Sequence, residues 1–209
     1  MLLEWSEIVQ TYFQRPITGV LHVGAHLAEE APLYEAEGIS NVWWVEGNPT
    51  VVDKLKIVLK NFPNQRLIQA LVFEEDGKEL DFNITNYDGM SSSVYEFGTH
   101  KAFSPDILFV NHMKLPSRSL DSLVAENNIR DINLLNLDIQ GAEFPALRGA
   151  TELLKGVDYI LTEVNKKQVY KGCSQIGDID GFLEEFTRVE TFWVADQGWG
   201  DALYVRKDV

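Results

Sequence analysis

An apolar run, Val20-Leu21-His22-Val23, breaks at Gly24-Ala25-His26, and a second run, Val42-Trp43-Trp44-Val45, ends in Glu46. Together the two describe a pocket for a nucleotide cofactor. A buried parallel strand that stops at a glycine lets the backbone turn sharply into a helix, whose free N–H groups then face a ligand at the strand's carboxyl end. An acid about 20 residues further on, at the tip of the next strand, can take both hydroxyls of a ribose. The competing reading is that any doubly wound sheet needs tight turns and that Glu46 is a solvated strand end, since a lone glycine turn is a weak motif. Chemistry at sulfur is not indicated: the single Cys173 lies in Lys171-Gly172-Cys173-Ser174 with no partner base nearby in sequence.

The frame around these residues is that of one globular domain, 1–209. The chain has 209 residues, 45% hydrophobic and 24% charged, enough for a full core and too few for a second domain of ordinary size. A formal charge of -14 argues against nucleic acid or an anionic membrane as partner, because both are held mainly by Lys and Arg. Small neutral or cationic substrates fit better. One cysteine excludes an internal disulfide and is compatible with a reducing compartment. Glu4 and Glu7 stand where a secretory signal needs basic and then apolar residues, and no apolar stretch approaches the roughly 18 residues that cross a bilayer. A cytoplasmic location is expected.

Two hydrophobic periods alternate along the chain. Leu2, Trp5, Val9, Tyr12 and Phe13 recur at helical spacing and predict a capping helix within residues 1–18, stopped near Pro16. Then come a strand at 19–24, a helix from Leu27 to Glu37 closed by Gly38, a strand at 42–46, a helix from Thr50 to Lys60 and a strand from Arg66 to Phe73. This βαβαβ pattern predicts a doubly wound parallel α/β sheet. Between 76 and 117 the helical period disappears, and extra strands and loops are expected over one edge of the site, including Ser91, Ser92 and Ser93. A helix from Ser119, a strand at 132–137, a helix from Glu143 to Leu154, a strand at 157–164 and a helix from Ile179 to Phe186 follow. The end differs in kind: Val189 to Val194, a turn at Gly198-Trp199-Gly200-Asp201, and Ala202 to Val205 read as a hairpin.

A mostly parallel sheet of seven strands closed by an antiparallel hairpin is how Rossmann-like class I methyltransferases end. Leu137-Asp138-Ile139-Gln140-Gly141-Ala142-Glu143, then Leu147-Arg148-Gly149-Ala150, then Leu161-Thr162-Glu163-Val164, resembles the FkbM family of S-adenosylmethionine-dependent methyltransferases. The family's opening Asp-Val-Gly-Ala-Asn is met by His22 to His26, its Glu-Pro-Asn-Pro by Glu46-Gly47-Asn48-Pro49, and its strand-to-helix Leu-Asp segment by Ser119 to Leu123. There are departures: His22 replaces an acid, His26 an amide, Ala28 a second glycine and Gln140 a glutamate.

The resemblance implies a division of labour. Gly24, Ala25 and His26 lie against the amino-acid end of S-adenosylmethionine, and a side chain at Gly24 is expected to block it. Glu46 and Gly47 serve the ribose; Asn48, Ala70 and Leu71 flank the adenine. Asp138 stands where cofactor and acceptor meet, or else caps the turn at Gly141. Glu143 reads as a partner of the helix dipole. Transfer to a hydroxyl, by the resemblance one of a sugar or secondary metabolite, needs a base, and Asp138, Glu163, His100 and His112 are the available types. His100 and His112 alternatively pack or lie at the surface, and His22 reads as a core histidine. Mg²⁺ held by Asp138, Glu163 and Asn165 is a less favoured variant. Two other functions compete: an NAD-dependent oxidoreductase, which lacks the G-x-G-x-x-G turn after Gly24, and a non-catalytic nucleoside- or protein-binding member of the fold.

Overall fold

In a computed structural model, residues 5–209 are described. Leu2, one of the positions of the expected opening helix, lies outside them. The chain runs α1 (Trp5–Tyr12), β1 (Val20–Val23), α2 (Ala31–Ala36), β2 (Val42–Glu46), α3 (Val52–Leu59), β3 (Arg66–Gln69) and β4 (Leu71–Val72). It continues with β5 (Glu79–Thr85), α4 (His100–Phe103), β6 (Phe109–Arg118), α5 (Leu120–Glu126), β7 (Leu134–Leu137) and α6 (Glu143–Arg148). A 3-10 turn at Leu153–Gly156, β8 (Tyr159–Asn165), α7 (Ile176–Phe182), β9 (Phe186–Trp193) and β10 (Trp199–Arg206) complete it.

The main sheet has the order β3-β2-β1-β7-β8-β10-β9, parallel except for β10, which is antiparallel to both neighbours. The fold is therefore the seven-stranded α/β sheet with a closing hairpin that the alternating periods predict. Side chains of each strand alternate between two cores. Leu21, Val23, Leu135, Leu137 and Ile160 join Leu123, Leu147 and Ile179 of α5, α6 and α7 on one face. Val20, Trp44, Leu134, Leu161 and Leu203 join Ile8, Tyr34 and Leu55 of α1, α2 and α3 on the other. The inner strands β1, β2, β7 and β8 are buried on both sides, which is why the sequence shows continuous apolar runs there. The opening helix covers a sheet face, with Phe13 stacked on Tyr159 at 4.2 Å.

Several boundaries differ from the periodicity. The helix expected from Leu27 begins only at Ala31 because Ala28 sits at φ 56, a left-handed conformation no helix passes through; Pro32, near the helix start, suits the new boundary. The helix expected to reach Leu154 stops at Arg148: Gly149 passes so close to the carbonyls of Phe73 and Glu74 that a Cβ there would lie 2.8 Å from each. The strand expected over 66–73 splits at Ala70, after which the chain pairs with β6 of a separate sheet, order β4-β6-β5. The helix near 179 is displaced to Ile176–Phe182 by a capping box between Gln175 and Asp178, and Phe186 opens a strand. The final turn precedes Trp199, and Gly200 and Asp201 are already in β10.

Candidate active site

Strand order reverses between β1 and β7, and such a switch point opens a crevice at the carboxyl ends of the strands. Gly24 follows β1 and Asp138 follows β7, so the two expected motifs are brought side by side. They line one cavity of about 470 Å³, together with His26, Glu46, Gly47, Ala70, Leu71, His100 and Glu163. The 76–117 insert supplies the facing wall, including Phe82, Met90, Ser91 and Ser92.

Glu46 is buried at the end of β2 and held by two backbone donors, His26 N to Oε2 at 2.7 Å and Asn48 N to Oε1 at 2.6 Å. Burial pushes its carboxyl above the usual range, against the pull of these N–H groups. It is thus a fixed, desolvated strand end rather than a solvated one. The same bonds correct the expectation for the glycine turn. Gly24 N and Ala25 N both donate to the Val45 carbonyl, His26 N to Glu46, Leu27 N to Glu29 Oε2, and Ala28 N to the Ala25 carbonyl. These N–H groups are spent within the protein, so they do not face a ligand. Ala25 is buried and Asn48 turns its Oδ1 to Thr50; neither lines the cavity. Asn48 forms a turn here, its Oδ1 accepting from Thr50 N and Oγ1.

Asp138, Glu143 and Glu163 form a carboxylate group at the other end. Desolvation, then the charge of Asp201, pushes Asp138 up to about 6. Burial likewise raises Glu143 to about 7, and burial with the charges of Glu143, Asp138 and Asp201 raises Glu163 well above its ordinary value. Glu143, not Asp138, caps the turn: its Oε1 accepts from Ile139 N at 2.9 Å and its Oε2 from Gly141 N at 3.0 Å. Gln140 donates to Asp138 Oδ1 at 2.5 Å and to Glu163 Oε2 at 3.1 Å, and accepts from the Tyr170 hydroxyl at 2.6 Å. Gln140 as a linker and Tyr170 as a wall residue were not legible. The only signal was the amide at 140 where the family's pattern has an acid.

The two insert histidines part company. His100 is buried at the start of α4, lines the cavity, stacks on Phe97 at 4.4 Å, and its Nδ1 has no partner among the described residues. Burial lowers its pKa, so it is neutral at pH 7. His112 is exposed on β6, its Nδ1 2.6 Å from Asn83 Oδ1, and does not reach the cavity; as a base it is corrected away by the outward direction of alternate β6 residues. His22 is the expected core histidine, 3.1 Å from the Tyr34 hydroxyl and lowered to about 4 by burial. Cys173 is buried and its thiol raised by burial, unlike an activated nucleophile. Among the described residues, no group of three or more His, Cys, Asp or Glu could hold a metal, and no helix is long and apolar enough to cross a membrane.

Buried acids that prefer their protonated form make the fold pH-sensitive. Because Asp138 and Glu143 bind protons more tightly folded than unfolded, their contribution is fully present below about pH 4 and is lost as pH rises through about 6 and 7. His22 opposes this only below about pH 6.5. The melting temperature at pH 6 should therefore exceed that at pH 8 by roughly 2–4 °C for each kcal/mol involved. A calorimetric scan with a flat or rising Tm from pH 6 to pH 8 contradicts the burial of these acids.

Comparison with known proteins agrees with this geometry. The methyltransferase FkbM domain matches residues 22–189. Over 191 residues the chain is 22% identical to the 2-O-methyltransferase NoeI of Sinorhizobium fredii, covering 88% of this chain and 78% of that protein. It is 22% identical over 143 residues to the hexuronic acid methyltransferase AglP of Haloferax volcanii, covering 68% of this chain and 54% of that protein, so it spans about half the length of this relative. Among solved structures, M. capricolum TrmK in complex with S-adenosyl-homocysteine superposes with a TM-score of 0.55 at 8% identity, over 100% of this chain and 70% of that one. The fibrillarin/Nop5p complex gives 0.53 at 11% identity, over 96% and 79%. These likenesses speak to the fold, and the family match removes the oxidoreductase alternative. A cavity at the β1–β7 switch point, the Asp138–Glu143 turn and the match over residues 22–189 lead to one conclusion: this chain belongs to the FkbM family and is a methyltransferase.

Proposed function

We propose that the chain transfers a methyl group from S-adenosylmethionine to a hydroxyl of a neutral, sugar-like acceptor, with Asp138 as the base. The observation that carries this is one cavity with Glu46 at one end and Asp138 at the other, the latter's carboxyl raised to about 6, near the working pH that suits a general base. The residues present fit the cofactor. Glu46 offers a desolvated carboxylate for two ribose hydroxyls, Gly47, Ala70 and Leu71 give a small apolar wall for the adenine, and about 470 Å³ lies in the range of ligand pockets. When bound, the sulfonium supplies an electrophilic methyl carbon. Asp138 would hold the acceptor hydroxyl and take its proton while the hydroxyl oxygen takes the methyl group. The apolar insert wall excludes water from the attack line.

The acceptor class follows from charge and from the relatives. Glu29, Glu30, Glu46 and Asp138 line the cavity, with no Lys or Arg among its described lining residues, and the His26 imidazole there is already paired with Glu29 at 2.6 Å. A carboxylated acceptor like that named for AglP would meet repulsion without a compensating cation, whereas a neutral polyol meets acceptors, serines and the aromatic faces of Tyr170 and Trp199. Incubation with methyl-labelled S-adenosylmethionine and a panel of neutral glycosides, hexuronates and amines tests this. Labelled ether product on neutral glycosides is expected. Transfer to amines only, or cofactor binding without transfer to any acceptor, overturns it.

Glu46→Ala should weaken S-adenosyl-homocysteine binding by about 1.5–3 kcal/mol, the range for hydrogen bonds to a charged group. The change also leaves His26 N and Asn48 N without their partner, so it should cost stability as well. Titration calorimetry on the folded variant showing unchanged affinity rules out the ribose role.

A further inference from the structure

We propose that Gln140 is a positioning residue for proton removal, its amide holding Asp138 in the ionised, acceptor-facing state; this rests on the reading of Asp138 as the base. The amide's direction is fixed by its neighbours. Its oxygen takes the Tyr170 hydroxyl at 2.6 Å, so its two N–H groups must face Asp138 Oδ1 at 2.5 Å and Glu163 Oε2 at 3.1 Å. The reversed amide would press a carbonyl oxygen against two carboxyl oxygens. The backbone beneath is equally constrained: Gln140 lies at φ 56, its carbonyl takes the Ser93 hydroxyl at 2.7 Å, and Glu143 binds the N–H groups on either side of it. A non-glycine residue in the left-handed region persists only where surroundings determine it, and such sites cluster where function needs a fixed geometry.

The position has a chemical logic. Asp138 is faced by acids from several elements: Glu163 on β8, Asp201 on β10, Glu143 on α6 and Glu30 just before α2, with the Tyr170 hydroxyl beyond. Burial and the charges of Asp201 and Glu30 disfavour its negative charge. An N–H aimed at a carboxylate favours the charged form, and the amide supplies that donor without adding a charge of either sign. By giving its shorter bond to Asp138, Gln140 selects which of two adjacent carboxyls carries the charge and leaves the proton with Glu163. Through Ser93 it also ties this choice to the insert that forms the acceptor wall.

The test is the pH dependence of kcat in Gln140→Glu and Gln140→Met, with Asp138→Asn as reference and S-adenosyl-homocysteine affinity measured for each. Gln140→Glu is nearly isosteric, replaces the donor by an acid, and should move the acidic limb up by about one pH unit or more. Gln140→Met removes the donor without adding charge, and should move it up by less. Cofactor affinity should stay within about threefold in both, since Glu46 is untouched. A limb that stays put in both variants while Asp138→Asn abolishes it overturns the role of Gln140 and leaves the base assignment standing. A limb that persists in Asp138→Asn overturns the base assignment, and this inference with it. A uniform loss of rate at every pH, with no limb movement, marks Gln140 as structural only and overturns the proposal.

Discussion

Asp138→Asn should lower kcat by roughly 10²–10⁴ while S-adenosyl-homocysteine binding changes little. The substitution keeps the shape of the side chain and leaves Gln140 Nε2 an oxygen to bond, so the turn after β7 survives. What it removes is the group that takes the acceptor's proton. The pH profile alone does not separate this base from His100: Asp138 is raised to about 6, and a neutral His100 would also lose its base form on acidification, so either residue gives an acidic limb. Mutation does separate them. His100→Ala should cost less, through loss of one wall of the cavity and of its stack on Phe97, and should keep the limb. If His100→Ala takes the large loss and Asp138→Asn a small one, the roles are reversed. Equal, small losses in both mean that alignment alone carries the rate.

The second large effect concerns Gly24, where the backbone itself, beyond the blocked cofactor, forbids a side chain. A Cβ built on Gly24 would lie 1.8 Å from the Asp138 carbonyl oxygen, and the residue sits at φ 93. The clash is with backbone of the neighbouring strand end, so no side-chain adjustment relieves it. Gly24→Ala, and more so Gly24→Val, should therefore fail as folded proteins before cofactor binding is at issue. We expect a loss of about 4 kcal/mol or more, the diagnostic range for a backbone violation, seen as a Tm lower by ten degrees or as insoluble protein. A Gly24→Ala protein melting within about 2 °C of the parent would show that β1 and β7 can separate at this end.

The inner strands are legible because burial on both faces leaves unbroken apolar runs, and Glu46 and Asp138 stand out because they end such runs. What escaped was decided by contacts across the chain. Nothing in Glu143–Leu154 announces that Gly149 must slide under the Phe73 and Glu74 carbonyls, and helical spacing alone ran on through it. The N–H groups after Gly24 looked free because their acceptors, Val45 and Glu46, come from another strand. His112 and His100 carry the same side chain in one insert, and only the pleat of β6 and the aromatic stack on Phe97 tell them apart. Tyr170 enters from a loop with no period, 30 positions from the amide it orients.

A single residue, Ala70, carries the chain from pairing with β2 to pairing with β6, and its N–H is itself bonded to the Glu46 carbonyl. With no slack at that crossing, the smaller sheet is bolted to the larger one beside Glu46, and residues 86–108, which bridge β5 and β6, are tied back to it as well, by Gly98 N to the Val169 carbonyl and by the Ser93 hydroxyl to the Gln140 carbonyl. A foreign hairpin spliced between Thr85 and Phe109 would therefore carry away the Ser93 bond to Gln140 and the Asp88 contact with His26 together with the acceptor wall, so that acceptor choice and the turn holding Asp138 are inherited as one unit.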